Sequence, residues 1–201
     1  MFPLGTVLVP FAHLPLHIFE PRYRALLRDC LAGEREFGVV LIERGSEVGG
    51  GDARFTVGTV AHITQTVELP DGRWLLDTVG TDRFRVVRWL ADDPYPRAEV
   101  ETLAEEPDTS PEAAERRGAV ERLLRQVLAL QVELGYLSPP VLLDLDSDPG
   151  RAAYAAAILS PLGPMDIQRL LEERGPLDRL RRLERLLGEV KAMFQHRIAE
   201  G

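Results

Sequence analysis

The chain has 201 residues, of which 45% are hydrophobic and 28% charged, a composition typical of soluble globular proteins with one or two domains. Its formal net charge is −8, from 24 basic and 32 acidic residues, and neither half has a basic surplus. Because nucleic-acid binders usually carry such a surplus, a nucleic-acid partner is not expected. No stretch approaches the ~18 apolar residues of a membrane helix, and the single cysteine, Cys30, excludes an intramolecular disulfide. We therefore expect a cytoplasmic protein with no membrane partner.

The first half of the chain is predicted to be rich in β-strands. Apolar runs and alternating segments predict strands at residues 2–9, 37–42, 55–69, 74–79, 84–90 and 98–103. One face of the 55–69 strand is expected to be buried: Val57, Thr59, Ala61, Ile63, Val67 and Leu69. A turn containing Pro70 and Gly72 joins this strand to its hairpin partner. One helix, from Pro21 to Gly33, interrupts the strands, and Gly49–Gly51 is expected to be a hairpin tip.

The second half is predicted to be helical. Residues 105–110 are polar and contain a proline, which is typical of a linker. Four helices follow, and each begins with a proline at its first position: Pro111, Pro149, Pro164 and Pro176. Strands followed by helices indicate an α+β plan, with a β-rich domain over residues 1–104 and a helical bundle over residues 105–201.

Two histidines, His13 and His17, have the spacing at which side chains share one face of a helix and can share a metal ion. Pro15 lies between them and disfavours a helix. In an extended segment their Cα atoms lie about 13 Å apart. That is too far for one metal ion, whose ligands bind at about 2 Å. We therefore predict no metal site, and no motif in the chain requires a cofactor.

The sequence contains no recognisable catalytic motif. Lys191 is the only lysine and follows a valine, so no GxxxxGK[ST] phosphate loop exists, and no serine occurs in a GxSxG motif. We predict that the chain is not an enzyme. The alternative is a hydrolase with an unrecognised site, whose first candidate residues are His17, Glu20, Arg22 and His62.

Several segments resemble the amino-terminal, substrate-binding domain of Lon proteases. In the β-rich half they are FPLG at 2–5, LPLHIFEPRY at 14–23, VGTVA at 57–61, VG at 79–80 and RFRV at 83–86. In the helical half they are DIQRLLE at 166–172 and RL at 179–180. The resemblance spans nearly the whole chain, and LPLHIFEPRY is its most specific part.

The resemblance implies a fold and a role. The implied fold is a PUA-like pseudo-barrel with one helix, followed by a helical bundle. The implied role is recognition of unfolded or tagged protein substrates, together with assembly of an oligomer. No ATPase or Ser–Lys protease motif accompanies it, so proteolysis is not expected to carry over. We expect a non-enzymatic protein-recognition module that acts as an adaptor or regulator in protein quality control, with a separate protease as one candidate partner.

The predicted binding surface rests on aromatic and apolar residues of the first half. Two tryptophans in a small β domain are usually core residues, but Trp89 and Tyr95 flank a turn at 92–94 where exposure is expected. We predict a hydrophobic groove between barrel and bundle that holds extended apolar segments, lined by Phe11, Leu14, Trp89 and Tyr95. The resemblance gives structural roles to five motif residues: His17, Glu20, Pro21, Arg22 and Tyr23.

Two further alternatives concern partners. PUA-like folds also occur in RNA-modifying proteins, and an RNA-binding surface would require Arg83, Arg85 and Arg88 to join other arginines in one basic face. The apolar stripes of the last helix are either wholly internal or shared with a second copy in a homodimer.

Overall fold

The computed structural model describes residues 1–45, 53–137 and 144–200. The chain divides into two units, Met1–Ala104 and Glu105–Gly201. The first unit contains a mixed sheet and one helix and the second contains helices, so the predicted α+β class is confirmed. The PUA-like assignment stays a prediction, and the predicted tip at Gly49–Gly51 lies outside the described residues.

The first unit is built on one six-stranded sheet. Its strands are β1 Phe2–Leu4, β2 His13–Ile18, β3 Glu36–Arg44, β4 Ala53–Glu68, β5 Trp74–Leu90 and β6 Arg97–Thr102, and helix α1 spans Pro21–Ala32. The strand order is β1-β3-β4-β5-β2, and β6 pairs with β5 off this path. β1 runs parallel to β3 and the other pairings are antiparallel. β1 and β2 therefore form the two ends of the main strand order.

Two strand predictions need correction. The expected strands at 74–79 and 84–90 are one continuous strand, β5, because a register shift opposite Thr59 and Ala61 absorbs the irregularity at 81–82 without ending the pairing. The apolar run at 2–9 is a strand only over Phe2–Leu4. Leu8 and Val9 are buried, but they lie in the connection to β2 rather than in the sheet.

Glycine at position 80 lets the connection before β2 lie directly against β5. A Cβ atom on Gly80 would lie 2.3 Å from the Val9 carbonyl oxygen, so no larger residue fits there without movement. The Gly80 N–H donates to the Ala12 carbonyl at 2.9 Å, and its carbonyl accepts from the Phe11 N–H at 2.8 Å. The Thr59 hydroxyl donates to the Leu8 carbonyl at 2.6 Å. These bonds fix where β2 begins.

Helix α1 packs its apolar stripe onto the sheet. Its buried residues are Tyr23, Leu26, Leu27 and Cys30, which recur at the three- and four-residue spacing of one helix face. They join Phe2, Phe37, Val39, Ile63 and Leu76 of the sheet in one core cluster. The Cys30 thiol donates to the Glu36 carbonyl at 3.2 Å, and burial raises its pKa.

The second unit consists of α2 Pro111–Glu133, α3 Pro149–Leu159, α4 Pro164–Glu172 and α5 Pro176–Glu200. The four proline starts predicted from the sequence are confirmed. The Ser110 hydroxyl accepts from the Ala113 N–H at 3.1 Å, and the Asp148 carboxylate accepts from the Arg151 N–H at 2.8 Å. A single apolar cluster, built from α2, α3, α4 and α5, forms the core of this unit.

Candidate functional site

The end strand β2 alternates between the core and the outer surface. Leu14, Leu16 and Ile18 face the core cluster, and His13, Pro15 and His17 are exposed. β2 pairs with β5 on one side and has no strand on its other side among the described residues. Proline is tolerated on such a strand, because it costs no ladder hydrogen bond there. The extended conformation predicted for this segment is therefore confirmed.

Strand register gathers apolar side chains on the outer face of β2, β5 and β4. Leu75 is paired with His17 on one side and with Val67 on the other. Directly opposed residues share a face of the sheet. Leu75 is 45% exposed and Val67 is 55% exposed. Asp77, two residues along β5, lies in the next row with Pro15 and Gln65.

A β-bulge in β4 turns Val67 outward. Ile63 pairs with Thr78 but Gln65 pairs with Asp77, so Thr64 is an extra residue in β4. The Thr64 hydroxyl donates to the Asp77 carbonyl at 2.9 Å. The extra residue reverses the alternation beyond it. The prediction that Val67 shares the buried face of Val57, Thr59, Ala61 and Ile63 is therefore wrong.

These rows form a shallow cavity of about 420 Å³, which we call the outer depression. It is lined by Pro15, Leu16, His17, Gln65, Thr66, Val67, Leu75, Leu76 and Asp77. The lining is mostly apolar and has one carboxylate. A surface of this kind offers hydrophobic contact to a side chain that arrives from outside.

A second, smaller cavity of about 200 Å³ lies between the sheet's two end strands. It is lined by Phe2, Leu4, Pro15, Leu16, His17, Ile18, Phe19, Glu20 and Tyr23. Because β1 and β2 line one cavity, the sheet curves until its ends approach each other. Pro15, Leu16 and His17 belong to both cavities, so this part of β2 is accessible on two sides.

The motif residues after β2 form a connected set. Pro21 is the first residue of α1, and Glu20 before it accepts from Arg22 at 3.0 Å. The Arg22 guanidinium lies 4.6 Å from the centre of the Tyr23 ring, and that ring lies 4.2 Å from the ring of Phe2. The contacts therefore involve three of the five motif residues, Glu20, Arg22 and Tyr23. Pro21 begins α1, and His17 lines both cavities.

The four residues predicted to bind peptides fall into different places. Leu14 and Tyr95 pack against the core cluster under α1, whereas Trp89 packs against a smaller cluster of Val40, Phe84 and Val86. Phe11 is exposed. None of the four lines either cavity described above. Their assignment to a binding surface stays a prediction.

Tyr95 and Trp89 also have internal polar or cationic contacts. The Tyr95 hydroxyl donates to Asp29 at 2.6 Å, and this hydrogen bond, assisted by desolvation, raises the pKa of Tyr95 to about 12. The Arg54 guanidinium lies 4.7 Å from the centre of the Trp89 ring.

The candidate catalytic residues come together only in part. His17 and Glu20 line the smaller cavity, and Arg22 donates to Glu20 at 3.0 Å. His62 lies apart from them and pairs with Glu36 at 3.3 Å. Within residues 1–45, 53–137 and 144–200, no three His, Cys, Asp or Glu side chains are arranged to hold a metal ion.

The three arginines that an RNA-binding face would require are buried or paired. Arg83 is buried, and Arg85 and Arg88 pair with Glu101 and Glu99. Carboxylates therefore compensate the positive charges of Arg85 and Arg88. In the part of the chain that the structure describes, every helix is too short or too polar to cross a membrane.

Comparison with known proteins gives the chain's relatives. The model of the ATP-dependent protease La (LON) substrate-binding domain matches residues 1–189. Lon protease 2 of Herpetosiphon aurantiacus is 32% identical over 198 residues, covering 92% of this chain and 23% of that protein. The Lon protease of Trichlorobacter lovleyi is 29% identical, covering 96% and 24%. The chain thus spans about a quarter of the length of the curated relatives it matches.

Two solved structures agree with this relationship. A Lon N-terminal domain protein from Xanthomonas campestris is 31% identical, with a TM-score of 0.63 over 93% of this chain and 95% of that one. The N-terminal domain of the Mycobacterium avium complex Lon protease shares the fold at 19% identity, with a TM-score of 0.64 over 94% and 96%. The family model covers most of the chain, and the chain therefore belongs to the family of LON substrate-binding domains.

Proposed function

We propose that this protein recognises unfolded segments of other proteins and that the outer depression is where their apolar side chains bind. The observation that carries the proposal is the row of His17, Leu75 and Val67 across three strands, with both aliphatic side chains exposed on a surface that has no cover among the described residues. The family description, a substrate-binding domain of a protease, supports protein as the ligand.

The size of the depression sets the strength of binding. Burying one aliphatic side chain yields about 1.5–3 kcal/mol, and ordering a flexible segment offsets part of that gain. A single filled depression therefore supports weak, reversible binding rather than a tight complex. Such binding suits a protein that holds or delivers many different unfolded clients.

The exposed side of β2 offers a further way to hold an extended segment. A chain laid beside β2 can form main-chain hydrogen bonds while its side chains alternate between the two cavities. Pro15 has no N–H, so a bound strand is not held by donors along the whole of β2. The side chains that enter the cavities then carry most of the selectivity.

We propose that the chain works without chemistry of its own, as an adaptor or regulator in protein quality control in the cytoplasm. The curated relatives are Lon proteases of which it spans about a quarter, so delivery of clients to a protease is the natural extension of binding. Incubation of the purified protein with unfolded casein tests this directly. We expect binding without peptide-bond cleavage, with and without ATP, and cleavage by the purified protein in either condition would contradict the proposal.

The binding test uses two valines on the same unit. Val67 lines the depression, and Val87 is 63% exposed on β5 without lining either described cavity. We expect Val67→Asp to weaken the binding of fluorescent unfolded casein, followed by anisotropy, by about ten-fold or more. A charge then replaces the aliphatic side chain that a bound client would cover. Val87→Asp should bind as the wild type does. Equal affinities for the two variants would place binding elsewhere.

A competing location for the binding surface is the set of residues predicted from the sequence: Phe11, Leu14, Trp89 and Tyr95. Phe11→Ala and Trp89→Ala test it in the same assay, because these side chains lie outside both described cavities. Weakened binding in these variants, with Val67→Asp unchanged, would favour the competing location.

A further inference from the structure

The outer depression contains a single formal charge, the carboxylate of Asp77. Asp77 is exposed, and among the described residues its carboxylate takes part in no hydrogen bond or ion pair. Residues 46–52, 138–143 and 201 include no lysine or arginine that could neutralise it. Three carboxylates on other strands of the same unit are paired: Glu36 with His62 at 3.3 Å, Glu101 with Arg85 at 3.2 Å, and Glu99 with Arg88. The depression therefore combines apolar contact with an uncompensated negative charge.

The spacing of the charge from the apolar row is fixed by β5. Leu75 and Asp77 lie two residues apart on the same face, which corresponds to about 6.4–6.8 Å along a strand. An extended segment repeats its own side chains on one face at the same interval. When one of its apolar side chains covers Leu75 and Val67, the side chain two positions away lies above Asp77 and Pro15.

We propose that the outer depression prefers extended segments in which a lysine or arginine stands two positions from the apolar side chain that it binds. The inference rests on the proposed function and specifies its substrate class. The methylene stem of a basic side chain can cover the ring of Pro15 while its charged end reaches Asp77. An acidic side chain at that position would meet like charge, which disfavours binding.

The test uses three fluorescein-labelled peptides with one central leucine. They are identical except at the positions two residues before and two residues after it, which hold lysine, norleucine or glutamate. Placing the variable residue on both sides makes the result independent of the direction in which the peptide runs. Dissociation constants are measured by anisotropy with the full chain, so no part of the protein needs to fold alone.

We expect the wild type to bind the lysine peptide about two- to five-fold more tightly than the norleucine peptide, the range of an exposed ion pair. The glutamate peptide should bind most weakly. Asp77→Asn should abolish the difference between lysine and norleucine, and Asp77→Lys should reverse the order in favour of glutamate. Asp82→Asn, an exposed carboxylate elsewhere on β5, should leave the preference unchanged.

A fourth peptide separates specific pairing from general attraction to an acidic protein. Its lysines stand three positions from the leucine and so point to the opposite face of an extended chain. It should bind like the norleucine peptide. The inference is overturned if it binds like the matched lysine peptide, or if Asp77→Asn keeps the preference. If Val67→Asp weakens peptide binding but lysine makes no difference to it, the inference is overturned and the proposed function stands. If no peptide binds, both are contradicted.

Discussion

Arg179 and Glu105 form a two-pronged ion pair inside the helical unit. The two terminal nitrogens of the guanidinium donate to the two carboxylate oxygens, each at 2.8 Å, and Nε donates to the Leu170 carbonyl at 3.1 Å. The guanidinium also lies 4.0 Å from the centre of the Tyr154 ring, whose hydroxyl donates to Glu105 at 3.0 Å. The Arg179 side chain is fully buried. This arrangement ties the first residue of the unit to its last helix.

Removing one partner of this pair should be costly. We expect Arg179→Met to lower the free energy of unfolding by about 3–5 kcal/mol, because the partly buried Glu105 carboxylate then loses two charge-assisted hydrogen bonds. Arg185→Met on the same helix is the control, since Arg185 pairs with Glu189 at 2.7 Å on an exposed surface. Arg185→Met should lower the free energy of unfolding by less than about 1 kcal/mol.

The measurement can be directed at the helical unit. Both tryptophans, Trp74 and Trp89, lie in the β-rich unit, so their fluorescence in a urea titration follows that unit. Far-ultraviolet circular dichroism follows mainly the four helices of the second unit. A loss for Arg179→Met as small as that for Arg185→Met would contradict a structural role for the pair.

Replacement by alanine should have opposite effects on stability at two glycines. Gly80→Ala places a Cβ atom 2.3 Å from a backbone carbonyl and should cost about 1–3 kcal/mol. A Cβ atom on Gly188, within α5, would meet nothing within 4 Å beyond the helix's own backbone, so Gly188→Ala should stabilise the chain by about 0.5–1 kcal/mol. Urea titrations of both variants give the two signs. Stabilisation by Gly80→Ala would show that the connection before β2 is free to move.

The thiol of Cys30 should be protected in the folded protein. Burial raises its pKa, and its Sγ–H donates to Glu36, so little reactive thiolate is available. We expect a disulfide reagent to react at least about ten-fold more slowly in buffer than in urea, because reaction requires local opening. Rapid labelling of the native protein would instead place Cys30 at an accessible surface.

Tyr95 should ionise at a higher pH than an ordinary tyrosine. Its pKa is raised to about 12 from the usual 10, chiefly by the hydrogen bond to Asp29. Because folding raises the pKa of Tyr95, the hydrogen bond from Tyr95 to Asp29 contributes fully to stability below pH 10. That contribution is lost as the pH rises through 12. Tyrosinate absorbance should show a late step that Tyr95→Phe removes and Asp29→Asn shifts toward lower pH. A step that Asp29→Asn leaves in place would contradict the assigned cause.

The local parts of the fold can be predicted from the sequence. Proline at a first helical position is a local signal, because its fixed φ suits the helix and its missing N–H costs nothing there. Pro15 is likewise a local signal, because it disfavours a helix between His13 and His17. The outward position of Val67 cannot be predicted from alternation, because the bulge at Thr64 depends on pairing with a separate strand. The run of polar residues at 64–66 is the one local sign that alternation fails there.

The candidate site depends on the same pairing between strands. Leu75 and Val67 meet only through the register of β4 and β5, and His17 joins them only through β2. The aromatic residues that the sequence favours stand out by their chemistry and by their nearness to a turn. Neither feature reveals which side chains the sheet brings together.

The central claim is that unfolded clients bind in the outer depression, and methyl resonances during a client titration test it most directly. The account predicts that the Val67 and Leu75 methyl signals shift and saturate together with unfolded casein, while the Val87 methyl signals stay in place. Unmoved Val67 and Leu75 signals, with shifts at Leu14 or at the Trp89 indole instead, would contradict it.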